Sequence, residues 1–301
     1  MKMWLSIPAC GRHKRMIGIT LMAVGCLTVP IVDAIAKALS ADMSPFFLAF
    51  SRYVVAAVVI VPVSIAVGNQ AMPILKTRTA LTANATRTVL AVGSMTSFYF
   101  AIKDIPLATA FGGYFLGPIV ASALAAIVVG ERVTLPRIAS VVMGLLGGYF
   151  IVQPDINFKI GSAFALLSGL LFAGYLLSTR VAASTTPPLV TLGVQSCLGC
   201  GLLLPFALAN WAWPSQSGLV LLIAMGLIAV CCNFLVIAAF RYAETMVLSP
   251  LAYLELVTAT MLGAIFFAEL PDRYASVGIM FVVGSGVLTW WGERSRDAET
   301  R

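Results

Sequence analysis

Apolar runs of about 20 residues recur along the whole chain, and they restrict its fold more than any other feature. A helix of that length rises about 30 Å, which matches the hydrocarbon thickness of a bilayer. Only 10% of the residues are charged, against about a quarter in typical soluble domains. The chain is therefore predicted to be an all-α membrane protein. Ten runs are assigned as transmembrane helices, at residues 17–38, 46–67, 80–102, 106–129, 136–152, 160–181, 188–209, 217–240, 246–268 and 273–291.

The second half of the chain repeats the first. At an offset of 143 residues, Pro45 aligns with Pro188, and from the third helix onward an offset of 138 aligns Glu131 with Glu269. Each half then holds five predicted crossings. Because five is odd, the second half must enter the membrane from the opposite side, so the fold is expected to be two inverted five-helix repeats. Transporters often use this design, with a substrate site between the halves near the midplane.

Lysine and arginine residues indicate the orientation of the chain. When the N-terminus is placed inside, most of them fall in or beside connections on the cytoplasmic side. Both termini are therefore expected in the cytoplasm, and the membrane is expected to be the inner membrane of the cell. The predicted organisation is a cytoplasmic N-terminal segment 1–16, a first repeat 17–152, a second repeat 160–291 and a cytoplasmic tail 292–301.

Several functional classes are disfavoured by the sequence. The net charge of +7 comes from basic residues beside the helices and not from a basic polar domain, so no nucleic-acid partner is expected. An enzyme is not supported, because the one histidine, His13, lies outside the predicted helices and no metal-ligand spacing or histidine-activated nucleophile exists. No cofactor or metal is expected. A phosphate-binding G-x-x-x-x-G-K-[ST] motif is also missing, so transport driven by ATP would require a partner protein.

Short motifs at particular helix ends identify a family. They are Ser51-Arg52-Tyr53 opening helix two, Val129-Gly130-Glu131 and Phe267-Ala268-Glu269 closing helices four and nine, and Tyr253-Leu254-Glu255 within helix nine. With these motifs, nearly the whole chain resembles the drug/metabolite transporter superfamily, and within it the EamA-type transporters of ten helices. The resemblance implies a secondary transporter that moves a small organic metabolite, amino-acid-like or related, by alternating access. Export is the expected direction. The expected driving force is a proton gradient or exchange for a counter-substrate.

A lipid flippase or a membrane protein without transport activity is the alternative function. Polar residues at membrane depth argue against a pure scaffold. A flippase would need a lateral opening towards the membrane lipids, which a sequence does not reveal.

Glu255 lies near the middle of predicted helix nine, with no basic residue evident at the same depth. A carboxyl group without a partner in hydrocarbon favours its protonated form, so Glu255 is a candidate for proton coupling or for binding a cationic group. The alternative is a structural, protonated Glu255 that is hydrogen-bonded to Asn233 or Gln195. Its equivalent in the first repeat is Gly117, so the two halves differ at the midplane.

Three further charged residues lie near the outer ends of helices one and two. Asp33 and Lys37 are one helical turn apart on one face, and Arg52 is at a similar depth on the next helix. They are expected to neutralise one another and fix the two helix ends, or to act as an outer gate. A site for the amino and carboxylate groups of a zwitterion is a third interpretation.

Aromatic residues are expected to form a wall of the cavity. The resemblance places helices three, four, six and nine around it, and Tyr99, Tyr114 and Tyr253 are the hydroxyl groups expected to face it. Together with Glu255 and Asn233 they are the predicted substrate-binding residues.

Other polar and small residues are expected to have structural roles. Arg87, one turn from Asn84, is expected to reach the cytoplasmic headgroups. Glu131 is expected to pair with Arg132 or Arg137, and Glu269 with Arg273. Small residues in helices five and ten favour intramolecular packing, with a homodimer contact as the alternative; they are Ser140, Gly144, Gly148, Gly278, Gly284 and Gly286.

Overall fold

The computed structural model describes residues 12–67, 77–129, 135–152, 159–183, 186, 188–239, 242 and 248–299. In this part of the chain, all regular secondary structure is helical. The helices are α1 (Arg12–Leu39), α2 (Pro45–Val67), α3 (Arg78–Asp104), α4 (Leu107–Tyr114), α5 (Leu116–Val129), α6 (Leu135–Val152), α7 (Ile160–Ala183), α8 (Pro188–Ala209), α9 (Gln216–Ala239), a 3-10 helix (Ser249–Tyr253), α10 (Leu254–Phe267) and α11 (Arg273–Glu299). The expected pairing of Glu131 lies outside the described residues.

Length and composition support the membrane assignment. Large apolar side chains point outward, among them Val58 at 70% and Phe266 at 71% exposure, as lipid-facing positions require. Within the described ranges, five helices are long and apolar enough to span a bilayer, at Met16–Leu39, Pro45–Val63, Ile160–Thr179, Leu189–Ala209 and Gln216–Val236. The predicted all-helical membrane class is confirmed, and a crossing by each of the remaining predicted helices stays a prediction.

Helix starts follow the two offsets found in the sequence. α8 begins at Pro188 and α2 at Pro45, which are 143 residues apart. The starts of α9 and α3, of α10 and α5, and of α11 and α6 are each separated by 138 residues. The equivalence of the two halves therefore extends to where their helices begin.

Each half interrupts its fourth predicted helix at an equivalent position. In the first half α4 ends at Tyr114 and α5 begins at Leu116. Pro118 explains the break, because its ring nitrogen cannot donate to the carbonyl group four residues earlier. In the second half the 3-10 helix ends at Tyr253 and α10 begins at Leu254. Broken helices near the midplane are typical of transporter binding sites.

Helix packing is also equivalent in the two halves. α3 packs along α7 just as α9 packs along α1, and α2 packs on its own equivalent, α8. α6 likewise packs on α11, through small residues: a Cβ atom added to Gly147 would lie 2.8 Å from the Gly278 carbonyl oxygen. Gly278 and its neighbours therefore serve intramolecular packing. A homodimer contact stays a prediction.

Candidate functional site

A cavity of about 360 Å³ lies between the two halves. Helices α1 to α4 and α7 to α10 supply its lining residues, and no described residue of α5, α6 or α11 is among them. Its polar lining consists of Asp33, Arg52, Tyr53, Ser94, Tyr114, Tyr175, Gln195, Ser196, Asn233 and Glu255. The volume falls in the range of small-molecule sites, and both signs of charge are present in the lining.

Asp33 and Arg52 form a buried ion pair in the cavity wall. Arg52 Nη1 lies 3.5 Å from Asp33 Oδ1 and donates a hydrogen bond of 3.0 Å to the Tyr99 hydroxyl group. The side chains are 7% exposed for Asp33 and 21% for Arg52. The expected pairing across α1 and α2 is therefore present, and the Arg52 charge is already neutralised.

Lys37 does not join that pair, which corrects the expected three-residue cluster. Its Nζ atom lies 2.7 Å from Glu269 Oε2 and donates to the Ile105 carbonyl oxygen at 2.8 Å. The reason is geometric: one turn of α1 carries Lys37 about 6 Å beyond Asp33, to the level where α10 ends. Glu269 consequently pairs with Lys37, in place of the expected Arg273. The contact joins α1 of the first half to the end of α10 in the second.

Glu255 faces the cavity from the first turn of α10 and is hydrogen-bonded to the Cys26 side chain of α1. Asn233 lines the same cavity. Of the partners considered from the sequence, Gln195 is engaged elsewhere. Cys26 was missed, although it lies seven residues before Asp33, two turns along the same face of α1.

The two halves differ most clearly around Glu255. By the two offsets, Glu255 and Cys26 correspond to Gly117 and Gly169. A Cβ atom on Gly117 would lie 2.8 Å from the Gly169 carbonyl oxygen, so the crossing of α5 and α7 is closed by glycine contacts. At the equivalent crossing of α10 and α1, a carboxyl group and a thiol group face each other instead. The expected asymmetry between the halves is thus a difference in polarity at equivalent helix crossings.

Arg87 points inward, which corrects its expected position at the headgroups. It is 4% exposed, and its Nε, Nη1 and Nη2 atoms donate to Thr179 Oγ1 at 2.9 Å, Gln195 Oε1 at 2.5 Å and the Tyr175 hydroxyl group at 2.8 Å. Tyr53 is hydrogen-bonded to the same Gln195 side chain. Three acceptors on α7 and α8 outweigh the snorkelling that a lone arginine would favour. The sequence contains one indication of a polar partner inside the protein. Gln195 is the repeat equivalent of Arg52, so both halves place a polar side chain at this position.

The three tyrosines predicted to face the cavity have different surroundings in the structure. Tyr114 lines the cavity and stacks on Phe172 at 4.3 Å between ring centroids. Tyr99 is fully buried behind Arg52, and is not among the cavity-lining residues. Tyr253 packs on the Phe115 ring, and a side chain at Gly286 would collide with its hydroxyl group. It therefore faces α11, because the helix break turns it away from the cavity.

Two equivalent helical halves around a cavity with polar and charged residues in its wall are typical of membrane transporters. The EamA-like transporter family matches residues 16–153 and 159–291, and the protein belongs to that family. The predicted family and its two-repeat fold are confirmed. Membership also makes the protein a multi-pass membrane protein.

Several relatives have names that state their cargo. The chain is 25% identical to an S-adenosylmethionine uptake transporter of Rickettsia prowazekii, over 92% of this chain and 93% of the relative. It is 22% identical to the pseudopaline exporter CntI of Pseudomonas aeruginosa, over 88% and 93%, and 23% identical to a riboflavin transporter of Brucella anthropi, over 80% and 86%. A solved crystal structure, 18% identical, aligns with a TM-score of 0.60 over 92% of this chain and 96% of that one, which shows the fold alone.

Proposed function

We propose that the protein is a secondary transporter that moves a small, amino-acid-like metabolite across the inner membrane by alternating access. The observation that carries the proposal is the cavity between the halves, with Glu255, Asp33 and Arg52 in its wall. An apolar molecule would not need these groups, and burying them is costly unless they have a use. An ammonium group of the cargo would complement Glu255, and the polar wall around the Asp33–Arg52 pair suits a cargo that also carries a carboxylate group.

The cationic part of the cargo is placed at Glu255. This carboxyl group faces the cavity, and its described hydrogen bond is to a thiol, a weak partner that an ammonium or sulfonium group can replace. Tyr114 and Phe172 form a stacked aromatic surface in the same lining, which suits a planar or apolar part of the cargo.

S-adenosylmethionine is the first compound to test. It combines an amino-acid head, a positive sulfur and a planar base, which match the three kinds of group in the cavity wall. A relative named for its uptake covers 92% of this chain. The named relatives include both an uptake transporter and an exporter, so the proposal allows both directions, and export is one of them. The proposed energy source is exchange or proton coupling.

The contact of Lys37 with Glu269 and Ile105 is proposed as a gate at the predicted outer end. It joins α1 to the end of α10 across the two halves, so it must break if the halves separate there. Proton coupling is assigned to Glu255, whose charge would change within the cavity itself.

The test is transport by the purified protein in liposomes. Labelled S-adenosylmethionine, amino acids and nucleosides are added with and without a pH gradient, and with or without unlabelled compound inside. We expect uptake of one member of the panel that exceeds empty liposomes and is accelerated by internal unlabelled compound. Liposomes with Asp33→Asn provide the matched control and should lose this uptake. Absence of uptake for the whole panel would contradict the proposal, and scrambling of a fluorescent phospholipid by the same liposomes would instead support a flippase.

A further inference from the structure

Arg87 is a buried cation whose role the proposed function leaves open. It lies directly behind Tyr175 and Gln195, both of which line the cavity. Its three hydrogen bonds all go to neutral acceptors, and among the described residues no carboxylate lies within ion-pair distance of it. A guanidinium group has five N–H donors, and the hydrogen bonds to described residues use three of them, so two more can bind an acceptor there.

Comparison of the two halves makes this observation more specific. Arg52 and Gln195 occupy equivalent positions, at equal depth from opposite membrane sides. In the first half, Asp33 on α1 neutralises the guanidinium group of Arg52. At the equivalent position of the second half, Arg87 on α3 of the first half supplies the guanidinium group next to Gln195, and the equivalent of Asp33 is the apolar Leu176. The second site therefore has the cation of the first without its carboxylate.

We propose that Arg87 with Gln195 and Tyr175 forms the site that binds the carboxylate group of the cargo. The carboxylate replaces the Gln195 amide oxygen as acceptor, and Arg87 then makes the paired hydrogen bonds that guanidinium and carboxylate groups favour. Arg52 is not that site, because Asp33 and Tyr99 already occupy it. This assignment rests on the proposed function in taking the cargo to carry a carboxylate.

The ends of the cargo are thereby assigned to different helices. Its cationic group faces Glu255 on α10, while its carboxylate faces Arg87 on α3, and the aromatic surface lies between α4 and α7. Such a site selects against compounds that lack either charge, since the unpaired protein group would stay buried.

The experiment compares two probes that differ in one group. Binding of S-adenosylmethionine and of its decarboxylated analogue is measured on full-length protein in lipid nanodiscs. The wild type should bind S-adenosylmethionine at least about tenfold more tightly, as expected for a hydrogen bond to a charged group. Arg87→Gln and Gln195→Glu should each abolish this preference by weakening S-adenosylmethionine alone. Gln195→Glu is isosteric and places a fixed carboxylate on Arg87, so it keeps the test valid if Arg87→Gln does not fold.

Arg52→Gln is the matched control, and it should change the affinities of both probes by the same factor. Loss of the preference in Arg52→Gln, with its retention in Arg87→Gln and Gln195→Glu, would overturn the assignment. So would a wild type that binds the two probes equally or binds neither. In those cases, transport of any compound in the liposome panel would leave the proposed function standing. Selective, Arg87-dependent binding without transport of any panel compound would support the carboxylate site and contradict the proposed function.

Discussion

The contact between Lys37 and Glu269 makes the sharpest prediction about conformational change. The Lys37 side chain is 8% exposed and that of Glu269 is 34% exposed. Removing one partner of a fully buried pair costs about 3–5 kcal/mol, whereas an exposed pair contributes about 0–1 kcal/mol. The partial exposure of Glu269 places Glu269→Gln between these limits, at about 2 kcal/mol. If the pair forms only when this end is closed, the closed population falls about 30-fold relative to the open one.

Accessibility of the cavity measures that shift. Val29 lines the cavity, so Val29→Cys in a background without native cysteines reports entry of a membrane-impermeant maleimide. Labelling is followed separately in right-side-out and inside-out vesicles. We expect Glu269→Gln to accelerate labelling by an order of magnitude from one side only, the side of α1 that carries Lys37.

Two variants control for other causes of increased labelling. Lys103 lines the small cavity beside the ion pair but is exposed, so Lys103→Met should leave the rate unchanged. The exchange Lys37→Glu with Glu269→Lys restores opposite charges and should bring the rate back towards that of the parent. An unchanged rate in Glu269→Gln, or equal acceleration from both sides, would refute the assignment of this pair as a gate.

Three further substitutions test the coupling, the helix end and the packing. Glu255→Gln should weaken cargo binding and abolish the response of the remaining exchange to a pH gradient in liposomes, and a retained response would contradict proton coupling at this residue. Ala268 adopts φ 52°, so Ala268→Gly should stabilise the purified protein by about 1 kcal/mol, seen as a higher Tm; a lower Tm would contradict this. The new side chain in Gly147→Val should collide with the Gly278 carbonyl oxygen and cost about 1–3 kcal/mol of stability. Gly201→Ala is the control and should be tolerated, because no atom lies within 4 Å of the added Cβ atom. Equal Tm values for the two variants would argue against close packing of α6 on α11.

The sequence predicts the scaffold well because the scaffold depends on lengths and periods. Apolar runs define the helices, and the offsets of 143 and 138 predict where most helices of the second half begin. The Asp33–Arg52 pair is also predictable, since both residues lie near the ends of adjacent helices joined by a short connection.

Partners across the two halves are not predictable in this way. Glu269 is 232 positions from Lys37, and Gln195 is 108 positions from Arg87. Their contacts depend on which face each helix turns towards the other half. A helix that is apolar on nearly every face gives little indication of that direction. The same reason applies to Tyr253, whose orientation follows from a local helix break.

The differences between the halves also limit where a driving force can act. If the halves were identical, closing either end would cost the same free energy, since the two conformations would be related by exchanging the halves. A proton or a cargo shifts this balance only through contacts that differ between the conformations. α6 packs on its own equivalent, α11, outside the cavity, so this packing offers no group that a cargo or a proton in the cavity could contact. Four charged residues around the cavity have uncharged equivalents, and two of them, Asp33 and Arg52, neutralise each other. Coupling is therefore expected at the other two, Glu255 and Arg87, whose equivalents are Gly117 and Met225.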